Sequence, residues 1–210
     1  MTKAGEITRE ITILAPTYND WNSVASLLPI IDRVIQQAGI TAHVYLINYG
    51  STDEDGRAGL AELRLSNIKN LSLIHLTRNM GSQRAIAVGI GYLADATDRP
   101  AKGPLIVMDS DHEDKPEDIV ALLHAVAAAT KPTVVFADRT RRSEGLAFRA
   151  LYSLFKMTFV ALTGHPLSFG NFSAIPGSML RRLASISELW DSYPSAIIRA
   201  KLPHIKIPTS

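Results

Sequence analysis

The chain has 210 residues, 46% hydrophobic and 20% charged, with a formal net charge of +2 and no cysteine. That length supports one large domain with its own core. The charge balance argues against bulk nucleic-acid binding, and the lack of thiols excludes disulfides and thiolate metal sites.

In chain order, short apolar runs recur at Ile11 to Pro16, Val44 to Asn48, Leu71 to Leu76, Pro104 to Asp109 and Thr133 to Asp138. Each is nearly continuous rather than alternating, as expected for strands buried on both faces. Helices are expected between them. Ser23 to Gln37 spaces Val24, Leu27, Leu28, Ile31, Val34 and Ile35 at three and four, and Asp55 to Leu65 and Gln83 to Ala94 also read as helical. Asp114 and Glu117 have capping-box spacing around Pro116, which suits a first helical turn. Alternating strand and helix predicts an α/β domain with a mainly parallel sheet and helices on both faces.

The pattern changes after Thr140. A basic loop leads into Leu146 to Gly164, where Phe148, Leu151, Tyr152, Phe155, Phe159 and Leu162 form a helical stripe. Two readings stay open for this stripe. It is a core or dimer helix, or it lies in a membrane interface beside Arg139, Arg141 and Arg142. Further helices are expected near Met179 to Leu189 and Tyr193 to Ala200, then a short strand at His204 to Pro208. The expected organisation is an α/β core at 1–142 and an acceptor-side, membrane-proximal helical part of the same domain at 143–210. Met1 to Pro16 holds no apolar stretch of signal-peptide length. No run of about 18 apolar residues suggests a transmembrane helix.

The strongest chemical signal is Met108-Asp109-Ser110-Asp111-His112-Glu113. In extended backbone, residues two apart point the same way, so Asp109 and Asp111 face one spot. Paired carboxylates repel unless a cation sits between them, and a hard divalent ion carrying phosphate oxygens meets that need. Glu113 continues the spacing as a candidate third ligand. The remaining acids, Asp114 and Glu117, read as helix caps.

Around Arg78-Asn79-Met80-Gly81, a strand ends, Gly81 allows a tight turn and a helix begins. Helix N-terminal amides attract anions, and Arg78 and Arg84 add charge. Gly89 and Gly91 form no dinucleotide fingerprint, and no phosphate-binding P-loop occurs. Thr17, Tyr18 and Asn19 follow the first strand, where open parallel sheets bind ligands. Arg139 ends the fifth run, where a guanidinium suits a phosphate.

Taken in order, Ala-Pro-Thr-Tyr-Asn, Asn-Tyr-Gly-Ser-Thr-Asp, Arg-Asn-Met-Gly-Ser-Gln-Arg-Ala, Met-Asp-Ser-Asp-His-Glu and Ala-Asp-Arg resemble the family-2 glycosyltransferases. The polyprenyl-phosphate sugar synthases among them are the nearer likeness. The resemblance covers Ile11 to Arg142 and is looser beyond. It implies a glycosyltransferase-A fold, a nucleoside-diphosphate sugar donor, Mg2+ or Mn2+, and transfer with inversion. Pro16, Tyr18 and Asn19 would border the base and Asp53 would support that loop. Asn48, Tyr49, Gly50, Ser51, Arg78, Asn79, Gly81, Arg84 and Ser110 fall within the nucleotide-binding motifs. Asp109 and Asp111 would hold the metal, with Glu113, and Arg139 would face a phosphate.

Two departures stand out. Asn48-Tyr49 replaces a pair of aspartates; the Asn48 carbonyl can still accept a base N–H, and Tyr49 either stacks on the base or fills space. Asn171 stands near where relatives place an acid, and an amide is no general base. A phosphate acceptor is already anionic and needs none, so a lipid phosphate is the favoured acceptor. A saccharide hydroxyl, or a non-catalytic nucleotide-sugar-binding module, is the alternative. A cytoplasmic protein is expected, peripheral at the inner membrane face, with a homo-oligomer left open. Relatives commonly continue into transmembrane helices, so a truncated or naturally short form is expected.

Overall fold

A computed structural model describes residues 8–53, 57–95, 103–139 and 170–209. The strands are β1 (Glu10–Thr17), β2 (Thr41–Asn48), β3 (Ile68–His75), β4 (Leu105–Val107), β5 (Val134–Arg139), β6 (Ser173–Ile175) and β7 (His204–Thr209). The helices are α1 (Trp21–Gln37), α2 (Ala58–Ala61), α3 (Ser82–Asp95), α4 (Asp118–Ala128), α5 (Leu180–Ala184) and α6 (Tyr193–Arg199), with 3-10 turns at Gly177–Met179 and Ser187–Trp190.

The strands form one sheet in the order β3-β2-β1-β4-β6-β5-β7. β1, β2, β3 and β4 pair in parallel, as do β5 and β7, whereas β6 runs antiparallel to both its neighbours. Alternate residues feed two cores. Ile11, Ile13, Val44, Leu46, Ile106 and Val135 pack with α1 and α4 on one face. On the other, Leu14, Tyr45, Ile47, Val107 and Phe136 pack with α3, α5 and α6. Helices on both faces explain why the inner strands β1, β2, β4 and β5 are largely apolar, whereas the edge strands β3 and β7 are only partly buried, against the expectation for Leu71 to Leu76. Gly89 lets α3 approach the sheet closely: a Cβ there would lie 2.4 Å from Leu14 Cδ1.

Several expected elements change. The strand expected at His204 to Pro208 forms β7 at the sheet edge, but the 143–210 part also contributes β6 to the middle of the sheet, which was not expected. Of the helix expected from Asp55 to Leu65, Ala58–Ala61 is helical. The Asp114–Glu117 capping box gives way to another arrangement. Glu117 occupies the N-cap of α4 and its side chain makes no capping bond. Asp114 instead accepts the Asp109 N–H at 2.8 Å. The Leu146 to Gly164 stretch lies outside the described residues. Among the described residues, no helix is long and apolar enough to cross a membrane.

One charged residue does structural work inside the apolar face of α1. Asp32 is 8% exposed and accepts the backbone N–H groups of Ser66, Asn67 and Ile68 at 3.0, 2.7 and 2.7 Å. It thereby fastens the start of β3, an edge strand, to α1. Asp32→Ala leaves these donors without their acceptor, and unfolding in urea is expected to report a loss of about 2–4 kcal/mol. A loss below about 0.5 kcal/mol contradicts this role.

Candidate nucleotide and metal site

Because β1, β2, β3 and β4 are parallel, the segments after them meet along one sheet edge. β6 is antiparallel, so its N-terminal side reaches that same edge. Its register with β4 pairs Val107 with Ser173, and Asn171 lies two residues further along, beside Asp109.

The segment after β1 is tied to the one after β2. Asn19 adopts φ 50°. Its Oδ1 accepts the Thr52 and Asp53 N–H groups at 2.8 and 3.2 Å, and its Nδ2 donates to Thr52 Oγ1 at 3.1 Å. Ser51 Oγ accepts the Asn19 N–H at 2.9 Å. Trp21 Nε1 donates to the Asp53 carbonyl. Asn19 and Asp53 thus brace the two loops against each other.

Asn48 is 4% exposed. Its Oδ1 accepts the Ser51 N–H at 2.8 Å, while its Nδ2 lies 3.0 Å from His75 Nδ1. The carbonyl considered for a base N–H therefore builds the turn, at a buried position. An aspartate here could still accept from Ser51, but it could not donate to His75.

Tyr49 stacks on Tyr18, with ring centroids 5.3 Å apart and planes 18° from parallel. Stacked pairs of this kind contribute about 1 kcal/mol beyond burial. Burial raises the Tyr49 phenol above its ordinary range, and the charges of Asp109, Tyr18, Asp111 and Asp20 push the same way. The two tyrosines thus form a wall that borders the acidic pair.

Thr17 is buried, and its hydroxyl has no hydrogen-bond partner among the described residues. Pro16 is also buried, and its carbonyl accepts the Ser110 hydroxyl at 3.0 Å. Ser110 thereby fastens the acidic loop to β1. His112 fastens the same loop to α1, its Nε2 lying 2.8 Å from Ser26 Oγ and 3.1 Å from the Ser23 carbonyl.

The two-residue alternation assumed for the acidic loop stops early. β4 ends at Val107, His112 turns to φ 65°, and Asp111 Oδ1 accepts the Glu113 N–H at 2.9 Å. This local turn spoils the extended geometry that would aim Glu113 alongside the aspartates. Among the described residues, no three His, Cys, Asp or Glu side chains gather as a metal site. Asp109 and Asp111, whose charges both act on Tyr49, are the candidate two-carboxylate donor set. That set suits a hard divalent ion completed by phosphate oxygens and water.

Gly50 has φ 91°, and a Cβ there would collide with the Arg78–Asn79 backbone. Asn79 Oδ1 accepts the Gly81 N–H at 2.9 Å, which closes the turn into α3. Arg78 and Arg84 are exposed. Arg139 ends β5 at the same edge, opposite Thr209 in register. Its side chain lies outside the described residues, as do Arg141 and Arg142.

Gln83, which sequence reasoning did not assign, and Asn171, which it read only as the replacement for an acid, enter the site through hydrogen bonds. Asn171 Nδ2 donates to Asp109 Oδ1 and Oδ2 at 3.1 and 3.3 Å. Gln83 Nε2 donates to Asn171 Oδ1 at 2.9 Å. No local pattern marks this contact, because it depends on the antiparallel insertion of β6.

The model of "Glycosyl transferase family 2" matches residues 12–190. The chain belongs to that family. Among family relatives, it is 32% identical over 124 residues to a polyprenol monophosphomannose synthase of Mycolicibacterium smegmatis, covering 58% of this chain and 42% of the relative. It is 27% identical over 177 residues to an undecaprenyl-phosphate 4-deoxy-4-formamido-L-arabinose transferase of Yersinia pestis, covering 82% of this chain and 48% of the relative. The chain spans less than half the length of the curated relatives it matches.

The fold is that of glycosyltransferase-A proteins. Glucosyl-3-phosphoglycerate synthase of Mycobacterium tuberculosis, solved with Mn2+, UDP-glucose and phosphoglyceric acid, matches with a TM-score of 0.60 at 13% identity, covering 96% of this chain and 71% of that one. A mannosyltransferase of Pyrobaculum calidifontis, in complex with GDP-Man and Mn2+, matches with a TM-score of 0.59 at 19% identity, covering 97% and 55%.

Proposed function

We propose that this family-2 chain binds a nucleoside-diphosphate sugar along the carboxyl edge of its sheet and transfers the sugar, with inversion, to a polyprenyl phosphate. The observation that carries the reading is the meeting of three elements at one edge: the braced loops after β1 and β2, the Tyr18–Tyr49 wall, and Asp109 with Asp111. The names of the relatives support a lipid-phosphate acceptor. The neighbours solved with nucleotide sugars and Mn2+ support the donor and the cation.

Asp109 and Asp111 would hold Mg2+ or Mn2+. Bound there, the cation would supply positive charge against the leaving nucleoside diphosphate. The residues of the chain provide the rest. Tyr18 and Tyr49 wall the base, Arg78 and Arg84 lend positive charge, and Arg139 ends β5 at the same edge. Asn171 spends its amide on Asp109 and Gln83, so this position supplies no base. An anionic phosphate acceptor needs none. Activity at a membrane surface follows from such an acceptor.

The test is calorimetric titration with UDP, GDP and their sugars, with and without Mn2+, followed by transfer to a short polyprenyl phosphate. Metal-dependent binding of one nucleoside diphosphate and sugar transfer to the lipid are expected. Transfer to a saccharide hydroxyl alone would overturn the acceptor assignment. The absence of any nucleotide binding would overturn the donor site.

A further inference from the structure

We propose that Gln83 and Asn171 are positioning residues for Asp109, joined in a relay of hydrogen bonds whose direction is set by the backbone N–H of Tyr193. The proposal rests on the reading of Asp109 as a metal ligand and deepens it.

The direction of the relay follows from its two ends. A backbone N–H only donates. Tyr193 N lies 3.0 Å from Gln83 Oε1, so the carboxamide oxygen of Gln83 must face it. The Gln83 NH2 group then faces Asn171, donating to Oδ1 at 2.9 Å. The Asn171 oxygen is thereby committed, and its NH2 group faces Asp109 at 3.1 and 3.3 Å. An ionised carboxylate only accepts. Both amides therefore have one orientation that satisfies every member, and either flip places two like groups together at two contacts.

A second path holds the Asn171 backbone. Ser173 Oγ donates to the Asn171 carbonyl at 2.8 Å. Its single proton is then used, so Tyr193 Oη donates to Ser173 Oγ at 2.6 Å. Tyr193 and Ser173 are both fully buried, and burial drives the tyrosine phenol up, which keeps it a donor. Asn171 is thus held at its backbone and at its amide by one buried tyrosine.

The relay aims a fixed donor at both Asp109 oxygens, which restricts rotation of the carboxylate. Partners behind a metal ligand commonly alter metal affinity or activity by about 10- to 100-fold when removed. An asparagine here, where a general base would be an acid, is accounted for by this duty.

The experiment measures Mn2+ binding by water-proton relaxation in the presence of UDP or GDP. Asn171→Leu is expected to weaken Mn2+ binding about 10- to 100-fold. Gln83→Glu keeps the acceptor for Tyr193 but loses the donor to Asn171, and a comparable weakening is expected despite its near-identical size. The double variant is expected to match Asn171→Leu alone, because both changes cut one chain. Wild-type Mn2+ affinity in both single variants would overturn the relay while leaving the metal site standing.

A metal-free measurement separates the two readings from the other side. In the 15N spectrum, slow exchange of the Asn171 carboxamide protons in the unsubstituted protein, lost in Gln83→Glu, supports the relay. Fast exchange in both overturns it. If the unsubstituted protein binds no Mn2+ with either nucleotide, the metal site falls, and the role proposed for the relay falls with it.

Discussion

Asp111→Asn is expected to lower sugar transfer roughly 100-fold or more, the scale on which lost transition-state electrostatics is felt. The substitution isolates charge from shape. Asp111 is exposed, and its Oδ1 accepts the Glu113 N–H at 2.9 Å. Asparagine retains an oxygen that can accept this bond, so the turn survives and only the anionic oxygen is lost. The melting temperature is therefore expected to stay within a few degrees of the parent, while the Mn2+ concentration needed for half-maximal rate rises. Near-normal turnover at saturating Mn2+ would remove Asp111 from the metal site. Asp109→Asn is a less clean probe, because Asn171 donates to both carboxylate oxygens and one of them would become an NH2 group.

The inner strands were legible because burial on both faces favours apolar residues at adjacent positions. Ile13 and Leu14 are adjacent yet feed opposite cores, and the same holds for Leu46 and Ile47. The site loops were legible for a related reason: parallel strands deliver their carboxyl ends to one edge. Three features were not legible, each for a nonlocal reason. β6 is three residues long, too short for any periodicity, and only its insertion brings Asn171 to Asp109. Asp32 sits beside an apolar stripe and reads as an exposed helix position until the start of β3 is placed over it. Asn48 carries the same donor and acceptor whether it reads a base or builds a turn. The difference lies in its burial and in Ser51 and His75, which a local pattern does not disclose. Asp114 taught the same lesson, since a cap and a loop closure both require a carboxylate just before a helix.

Gly50→Ala is expected to weaken nucleoside-diphosphate binding about tenfold or more, corresponding to roughly 1.4 kcal/mol, and to lower global stability by about 1–3 kcal/mol. Two causes act together at this position. The backbone has φ 91°, a region that side chains with a Cβ rarely adopt, and such strain costs on the order of 1–3 kcal/mol. The added Cβ would also lie 2.7 Å from Asn79 N and 2.8 Å from the Arg78 carbonyl carbon. Both are backbone atoms, which cannot rotate aside as a side chain would. Either the Asn48–Asp53 loop or the Arg78–Gly81 turn must move, and these two flank the proposed donor site. Gly81→Ala supplies the comparison. Gly81 has a similar φ of 82°, but nothing lies within 4 Å of its would-be Cβ, so that variant carries the strain without the collision. If the two variants lose affinity equally, backbone strain accounts for the effect. If Gly50→Ala binds as the parent does, the contact between the two turns does not shape the nucleotide site.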